Sequence, residues 1–356
     1  MLHFHSNLFV RSIVTTAVVL LVSACTLGQR TPAPNGGVFV SYNAGETWEA
    51  KTLVQVTEKG AVTIGPYDMG SLIFHPTDPQ IMYFITTQNG VYRTVTGGDQ
   101  WELTTLSTGA ITSLALDPLN PGIVYAAQGG TILKSVDSMA TWSTIYVEAR
   151  PLQTIMSIAI DPSDPSKIYA ATQQFIIKSQ DFGTTWSFLE WKGTQARKLW
   201  ISSKNPNILY VLASNYGFYK SSDGGNSWQD LSSGLALFQR SQSISWVDFN
   251  PQTERFTIAT GYGILTSTDG ATSWQQIDTL IPSATIQIQA VVINPDNDRE
   301  IIFSINNVIH KTVDGGKTWK TLATVPTSRF ISHMYHSPHD SSILYVGTRL
   351  SSPTAL

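Results

Sequence analysis

Five acidic residues fall in stretches that read as connecting segments or inner strands: Asp68, Glu148, Glu190, Asp248 and Asp278. Glycoside hydrolysis usually needs two carboxyl groups roughly 5–10 Å apart, and no two of these five share a recognisable motif. His333, His336 and His339 cluster near the C-terminus. Residues 333 and 336 point to opposite faces of a strand, and His339 follows the turn at Ser337-Pro338, so no metal site is expected. No glycine-rich loop leads from a strand into a helix, and no cofactor is expected. What remains is cationic and aromatic. Arg150, Arg197, Arg240 and Arg329 each fall shortly before an apolar stretch, and Arg349 follows the last one. Guanidinium groups bind carboxylates bidentately, which suits an acidic ligand. Trp191, Trp200 and Trp246 lie close together in the chain and offer flat rings of the kind that take up sugars or apolar groups.

The elements that position these residues are repeats. An octet S/T-x-D-x-G-x-T/S-W occurs seven times, ending at Trp48, Trp101, Trp142, Trp186, Trp228, Trp274 and Trp319, at intervals of 53, 41, 44, 42, 46 and 45 residues. Its third position holds Asn43, Asp137, Asp181, Asp223, Asp269 or Asp314, with Thr96 in the copy ending at Trp101. A carboxylate or amide there accepts backbone N–H groups just ahead of it, and a following glycine supplies positive φ. The tryptophan after the turn is expected to anchor it, so Trp228→Ala should cost about 3–5 kcal/mol. Between octets a second pattern recurs, as in LALDPLNPGIVYAAQGGTILKS (114–135). It reads as a strand, a proline turn that ends it, a strand, a polar loop, and a third strand entering the octet. A fourth follows the tryptophan. Four antiparallel strands at this period make a propeller blade. The N-terminal piece supplies only a third strand (37–40) and a fourth, and the C-terminal piece (330–348) only a first and second. The expectation is an all-β propeller of seven blades over 37–349, one blade shared between the chain ends, with an insert at 51–68.

These octets resemble Asp-box (BNR) repeats, which occur in sialidases, sortilin-type receptors, xyloglucanase-type glycoside hydrolases and the photosystem II assembly-factor family of lipoproteins. The resemblance implies that the octet is a structural fastener. Sialidases would imply three substrate-binding arginines, a nucleophilic Tyr with a Glu, an Asp acid/base, six blades and an Arg-Ile-Pro-like element ahead of the first box; nothing like that element precedes Trp48. Xyloglucanase-type enzymes are similar between the boxes, but their two catalytic Asp residues lie across a cleft between two propellers, and this chain has length for one. The overall plan resembles the assembly-factor family. Its arginine patch corresponds by general location to Arg150, Arg197, Arg240 and Arg329.

Antiparallel order puts the octets and proline turns on one face and the polar loops and inter-blade links on the other. The four arginines map to the second, loop face, with Lys192 and Lys198. Ordinary solvated charge and a cationic rim for an acidic segment are both open readings. Aligned on the proline turns, Trp200 and Asp248 occupy the inner-strand position of Ala115 and Ala159. They either line the axis or fill the space between blades.

The chain has 356 residues, 42% hydrophobic and 13% charged, about half the usual charge. A formal charge of −3 and a pI near 6.1 argue against nucleic-acid binding. Residues 1–24 carry Arg11, an apolar run and Val22-Ser23-Ala24 before Cys25, the sole cysteine. That pattern reads as a secretory signal and is similar to a bacterial lipobox. The expected mature chain is lipidated at Cys25, tethered through 25–36, anchored outside the cytoplasmic membrane and monomeric, with charge −4 once Arg11 leaves; residues 350–356 form a tail. Two functions are compatible with these features. One is a non-enzymatic scaffold with a protein partner. The other is a glycan-active module, a glycoside hydrolase or a carbohydrate binder.

Overall fold

The computed structural model describes residues 35–350, except 152, 192, 215, 216, 280, 281 and 283–286. The signal segment, Cys25, most of the tether and the tail beyond residue 350 lie outside the described residues, as do Lys192, Asn215 and Tyr216.

Seven four-stranded antiparallel sheets form a ring. Blade 1 comprises Met69–Phe74, Met82–Thr86, Val91–Thr94 and Glu102–Leu103. Blades 2 to 6 begin with the inner strands Ile111–Leu116, Ile155–Ile160, Ala196–Ile201, Ile244–Asn250 and Ala290–Ile293. Blade 7 is the shared one. Its first two strands, Phe330–His336 and Leu344–Arg349, pair with Val38–Ser41 and Glu49–Lys51 from the other end of the chain. Val38 faces Gly347 and Ser41 faces Leu344 in that register. The insert at 51–68 forms a hairpin, Leu53–Thr57 with Gly60–Thr63.

The core is a series of clusters between adjacent blades. Ile85 and Val91 of blade 1 pack with Leu114 and Val124 of blade 2, for example. The alternation of strand side chains sends one set into the preceding gap and the other into the next.

Each Asp box is a closed hydrogen-bond unit. In the copy ending at Trp228, Ser221 Oγ accepts from Gly225 N at 2.8 Å and donates to Asp223 Oδ1 at 2.8 Å. Asp223 accepts Ser227 N and Ser227 Oγ at 2.9 and 2.6 Å. These donors, Ser227 first, hold the Asp223 carboxyl at about 2, well below the usual range. Thr96 does the aspartate's work in the Trp101 copy, taking Gln100 N at 3.0 Å. Gly225 meets the turn's demand with φ of 92°. The tryptophans join neighbouring blades: Trp101 Nε1 donates to Lys51 O at 2.9 Å and Trp319 Nε1 to Asp278 O at 3.0 Å. Their burial is unequal. Trp101 and Trp274 are buried, and the other five are half-buried.

The inner strands leave backbone groups facing the next blade, an exposed edge that must be satisfied. Side chains of the preceding blade do this. Ser113 Oγ accepts Ile158 N at 3.0 Å, Ser157 Oγ accepts Leu199 N at 3.2 Å, and Tyr335 OH accepts Leu72 N at 3.3 Å. Ser245 Oγ donates to Ile288 O at 2.5 Å. In six of the seven blades the inner strand carries a β-bulge, at its second residue in five and at its third, Ser332, in blade 7.

Candidate functional site: the loop face beside the axis

The two faces are built differently. On the box face six of the octets donate to the proline turn of their own blade, as in Gly97 N to Gln80 O at 2.9 Å and Gly224 N to Asn207 O at 2.9 Å. On the other face the loops between second and third strands bond the inter-blade links: Thr87 N to Asp68 O at 3.1 Å, Ser214 N to Gln195 O at 2.8 Å and Gly261 N to Ser243 O at 2.8 Å.

The expected arginines lie in or beside the links, but they are not equivalent. Arg329 is 5% exposed. Its guanidinium reaches Asp68 at 3.1 Å and Pro66 O at 3.1 Å, locking the end of the insert to blade 7. It is therefore an internal clamp and not a rim cation, because the chain from 64 to 68 closes over it. Arg150 bonds both oxygens of Glu148 at 2.7 Å and lies 3.8 Å from the Phe175 ring centroid and 4.6 Å from that of Phe188. The Glu148 carboxyl is 2% exposed, and this pairing holds it at about 2. Arg240 is exposed between blades 4 and 5 with φ of 60° and also has a partner. Arg349 is half-buried and donates to Met69 O at 2.8 Å.

Arg197 differs. It is the bulged second residue of blade 4's inner strand, Lys198 is the third, and both are exposed. A bulge breaks the alternation, so two adjacent side chains reach solvent together at the loop end of the strand. Neither has an ion-pair partner among the described residues. Lys198 borders the axis. Although water reaches it, the surrounding protein lowers its pKa by desolvation. The sequence places Lys198 among the loop-face cations without pairing it with Arg197. The signal that would have paired them is the bulge, which the alignment of Arg197 with Thr112 and Met156 contains.

The three tryptophans outside the boxes are all packed. Trp191 meets Trp228 edge-on at 5.2 Å and donates to Thr194 O at 2.9 Å. Trp200 fills the gap between blades 4 and 5, 5.5 Å from Phe256 and 5.9 Å from Phe249. Trp246 crosses the axis over Ala290 and meets His333 and Tyr335 of blade 7 at 5.2 and 5.3 Å. That contact was not foreseen. Asp248 faces blade 6 and takes Ile293 N at 3.5 Å. Burial pushes its carboxyl up to about 6, against this bond and the charge of Arg255.

The histidines go to separate partners. His333 Nε2 donates to Gly70 O at 2.9 Å, His336 Nδ1 to Ser341 O at 2.7 Å and His339 Nε2 to His75 O at 2.9 Å. Burial depresses His333 to about 3, keeping it neutral. Among the described residues no group of three His, Cys, Asp or Glu is placed to hold a metal. On the box face the axis opens into an apolar hollow of about 260 Å³ lined by Ile73, Ala115, Leu116, Pro76, Pro118 and Pro162.

Residues 183–330 match the family model described as Photosynthesis system II assembly factor YCF48. No curated protein matches the chain. Among solved structures, the GH74 xyloglucanase from Xanthomonas campestris is similar over 85% of this chain and 52% of that one, at 16% identity and a TM-score of 0.62. YCF48 bound to a D1 peptide is similar over 80% of this chain and 92% of that one, at 15% identity and a TM-score of 0.61. YCF48 from Cyanidioschyzon merolae covers 79% and 96%, at 15% identity and 0.54. These likenesses are of fold. The chain spans about half the length of the xyloglucanase.

Proposed function

We propose that the protein is a binding scaffold, exported across the cytoplasmic membrane and held at it through Cys25, which receives an acidic segment of another protein on its loop face. The observation that carries this reading is the adjacent and exposed couple Arg197 and Lys198 beside the axis, without an ion-pair partner among the described residues. The other loop-face arginines already have partners. That YCF48, a propeller of similar plan, is seen bound to a D1 peptide supports a peptide ligand here. The rival glycan-active reading has less support. Trp191, Trp200 and Trp246 have their rings against other rings, and the Glu148 and Asp68 carboxylates face arginines.

The test is the double variant Arg197→Glu, Lys198→Glu. A unit charge passing about 10 Å from another interacts by about 0.4 kcal/mol in water before screening. With Debye lengths of about 30, 10 and 3 Å at 0.01, 0.1 and 1 M salt, reversing both charges slows association about eightfold, about threefold and not measurably. The partner is captured from native membranes by the parent protein, and its association rate is measured against both forms. Equal rates at all three salt concentrations, with the variant folded, refute the assignment.

A further inference from the structure

The box face carries apolar side chains that its fasteners do not use. The second residue of the octet is Val313, Tyr42, Val95 and Val136 in blades 6, 7, 1 and 2, and all four are exposed. Blades 3, 4 and 5 have Gln180, Ser222 and Thr268 there. Their fasteners still close, as in Gly183 N to Ser179 Oγ at 2.8 Å and Ala271 N to Ser267 Oγ at 2.8 Å. The fourth residue has positive φ in every copy and is glycine in four. Blade 3 places Phe182 there at φ of 58°, a conformation that bulky side chains rarely adopt, and leaves its ring exposed. Outliers of this kind cluster at functional sites. The third residue of the proline turn is polar in six blades, as in Thr77 and Ser163, but in blade 2 it is Leu119, 70% exposed.

Contiguous apolar groups left in water mark a contact surface. Leu119 follows Pro118 at the lip of the axial hollow formed by blades 1 to 3. Gly122 O, in the same turn, accepts Ser138 N at 2.9 Å, so the turn and octet of blade 2 make one surface. Pockets that take whole small molecules span about 300–1,000 Å³. The hollow, about 260 Å³ and open, suits a single large side chain of a partner.

The same sector is acidic. The turns and octets of blades 1 to 3 (75–80, 94–101, 117–122, 135–142, 161–167 and 179–186) hold seven aspartates and one cation, Lys167, 3.1 Å from Asp164. The cations beside them are committed: Lys51 to Asp99 at 2.6 Å, Arg93 to Glu102 at 2.5 Å and Lys134 to Phe182 O at 2.9 Å. Bonds from Thr141 and Thr185 hold the Asp137 and Asp181 carboxyls at about 2, so both stay charged. Charge selects the occupant. Anionic lipid and nucleic acid are bound by basic surfaces. A second copy docked about a twofold axis sets this acidic patch against itself. A basic chain is attracted.

We propose that the box face of blades 1 to 3 is a docking surface for a basic segment of another protein. One aromatic or leucine side chain of that segment fills the axial hollow, and its lysines or arginines face Asp137 and Asp181. This surface is separate from Arg197 and Lys198, on the opposite face and of opposite charge.

The test uses residues that other blades already carry. Leu119→Ser, Val136→Gln and Phe182→Gly copy Ser163, Gln180 and Gly224. The triple variant should unfold at the same urea concentration as the parent or a higher one. A lower midpoint would show that these residues serve the fold, and overturns the proposal. Random heptapeptides displayed on phage are selected on full-length protein, with excess triple variant in solution as competitor. Enriched peptides are expected to carry two or more Lys or Arg with a Trp, Phe or Leu. Synthetic copies should bind the triple variant about tenfold more weakly than the parent, and the Arg197→Glu, Lys198→Glu protein as tightly as the parent. No enrichment, enrichment of acidic or uncharged peptides, or equal affinity for the triple variant overturns the assignment. A parent dimer in sedimentation that the triple variant lacks would make a second copy the occupant and overturn it too. Flotation of Cys25→Ser protein with phosphatidylglycerol vesicles, lost on adding the three substitutions, would do the same in favour of lipid.

Discussion

Replacing box tryptophans one at a time should separate burial from repeat membership. Trp101 is 1% exposed, packs edge-on to Phe84 at 6.0 Å, and donates to Lys51 O across the closure between blades 7 and 1. An aromatic side chain of this kind removes about 150–250 Å² from water, which at about 25 cal/mol per Å² is about 4–6 kcal/mol. Residual burial in the unfolded chain reduces that figure, and the stranded Lys51 carbonyl adds about 1 kcal/mol. Trp101→Ala should therefore cost about 4–5 kcal/mol. Trp101→Phe keeps most of the ring and loses the hydrogen bond, for about 2 kcal/mol. Trp228 is half-buried against Trp191, so Trp228→Ala should cost about 2 kcal/mol, below the 3–5 kcal/mol expected from the repeat pattern alone. Urea unfolding followed by far-ultraviolet circular dichroism, with the slope m held common, reads these differences as shifts in midpoint. Equal losses for Trp101→Ala and Trp228→Ala would refute the burial argument. They would mean that the octet acts through its turn and that the ring is incidental.

The Asp248 carboxyl, raised to about 6, binds its proton more tightly folded than unfolded, so stability falls as pH rises from about 4 to about 6 and stays lowered above that. Asp248→Asn, which can still accept Ile293 N, should raise stability by up to about 3 kcal/mol at pH 7.5 and by almost nothing at pH 3.5; a gain equal at both pH values would show that ionisation is not the cause. Cys25→Ser should be released into the aqueous phase on detergent partitioning, and normal retention would remove the lipid anchor.

Blade number, strand order and closure were legible because each depends on a local pattern repeated seven times. The pairing of residue 38 with residue 347 follows once two half-blades are recognised. The individual arginines were less legible, because residues in corresponding links, at different distances from their inner strands, met four different surroundings. Arg329 is covered by the end of an insert that occurs once, and Arg150 is neutralised by a glutamate two residues away. Trp246 shows the same limit, since its partners His333 and Tyr335 belong to a blade two further round the ring.

The bulged position explains why blade 4 can present unpaired charge. In blade 2 that residue is Thr112, whose hydroxyl donates to Ile155 O at 2.5 Å, and in blade 5 it is Ser245, which donates to Ile288 O. In these two blades the side chain at the bulge ties one blade to the next. Blade 4 has Arg197 there and gives up the tie, and Lys198 replaces the serine that in blades 2 and 3 accepts a backbone N–H. The junction of blades 4 and 5 is held by rings instead. Trp200, Tyr210 and Phe218 each lie 5.1–5.5 Å from Phe256, and Phe218 lies 5.3 Å from Trp274. Apolar packing of this kind does not depend on what happens at the strand's loop end. Two residues of the innermost strand are thereby released from holding the ring together, and they are the two that point into solvent beside the axis.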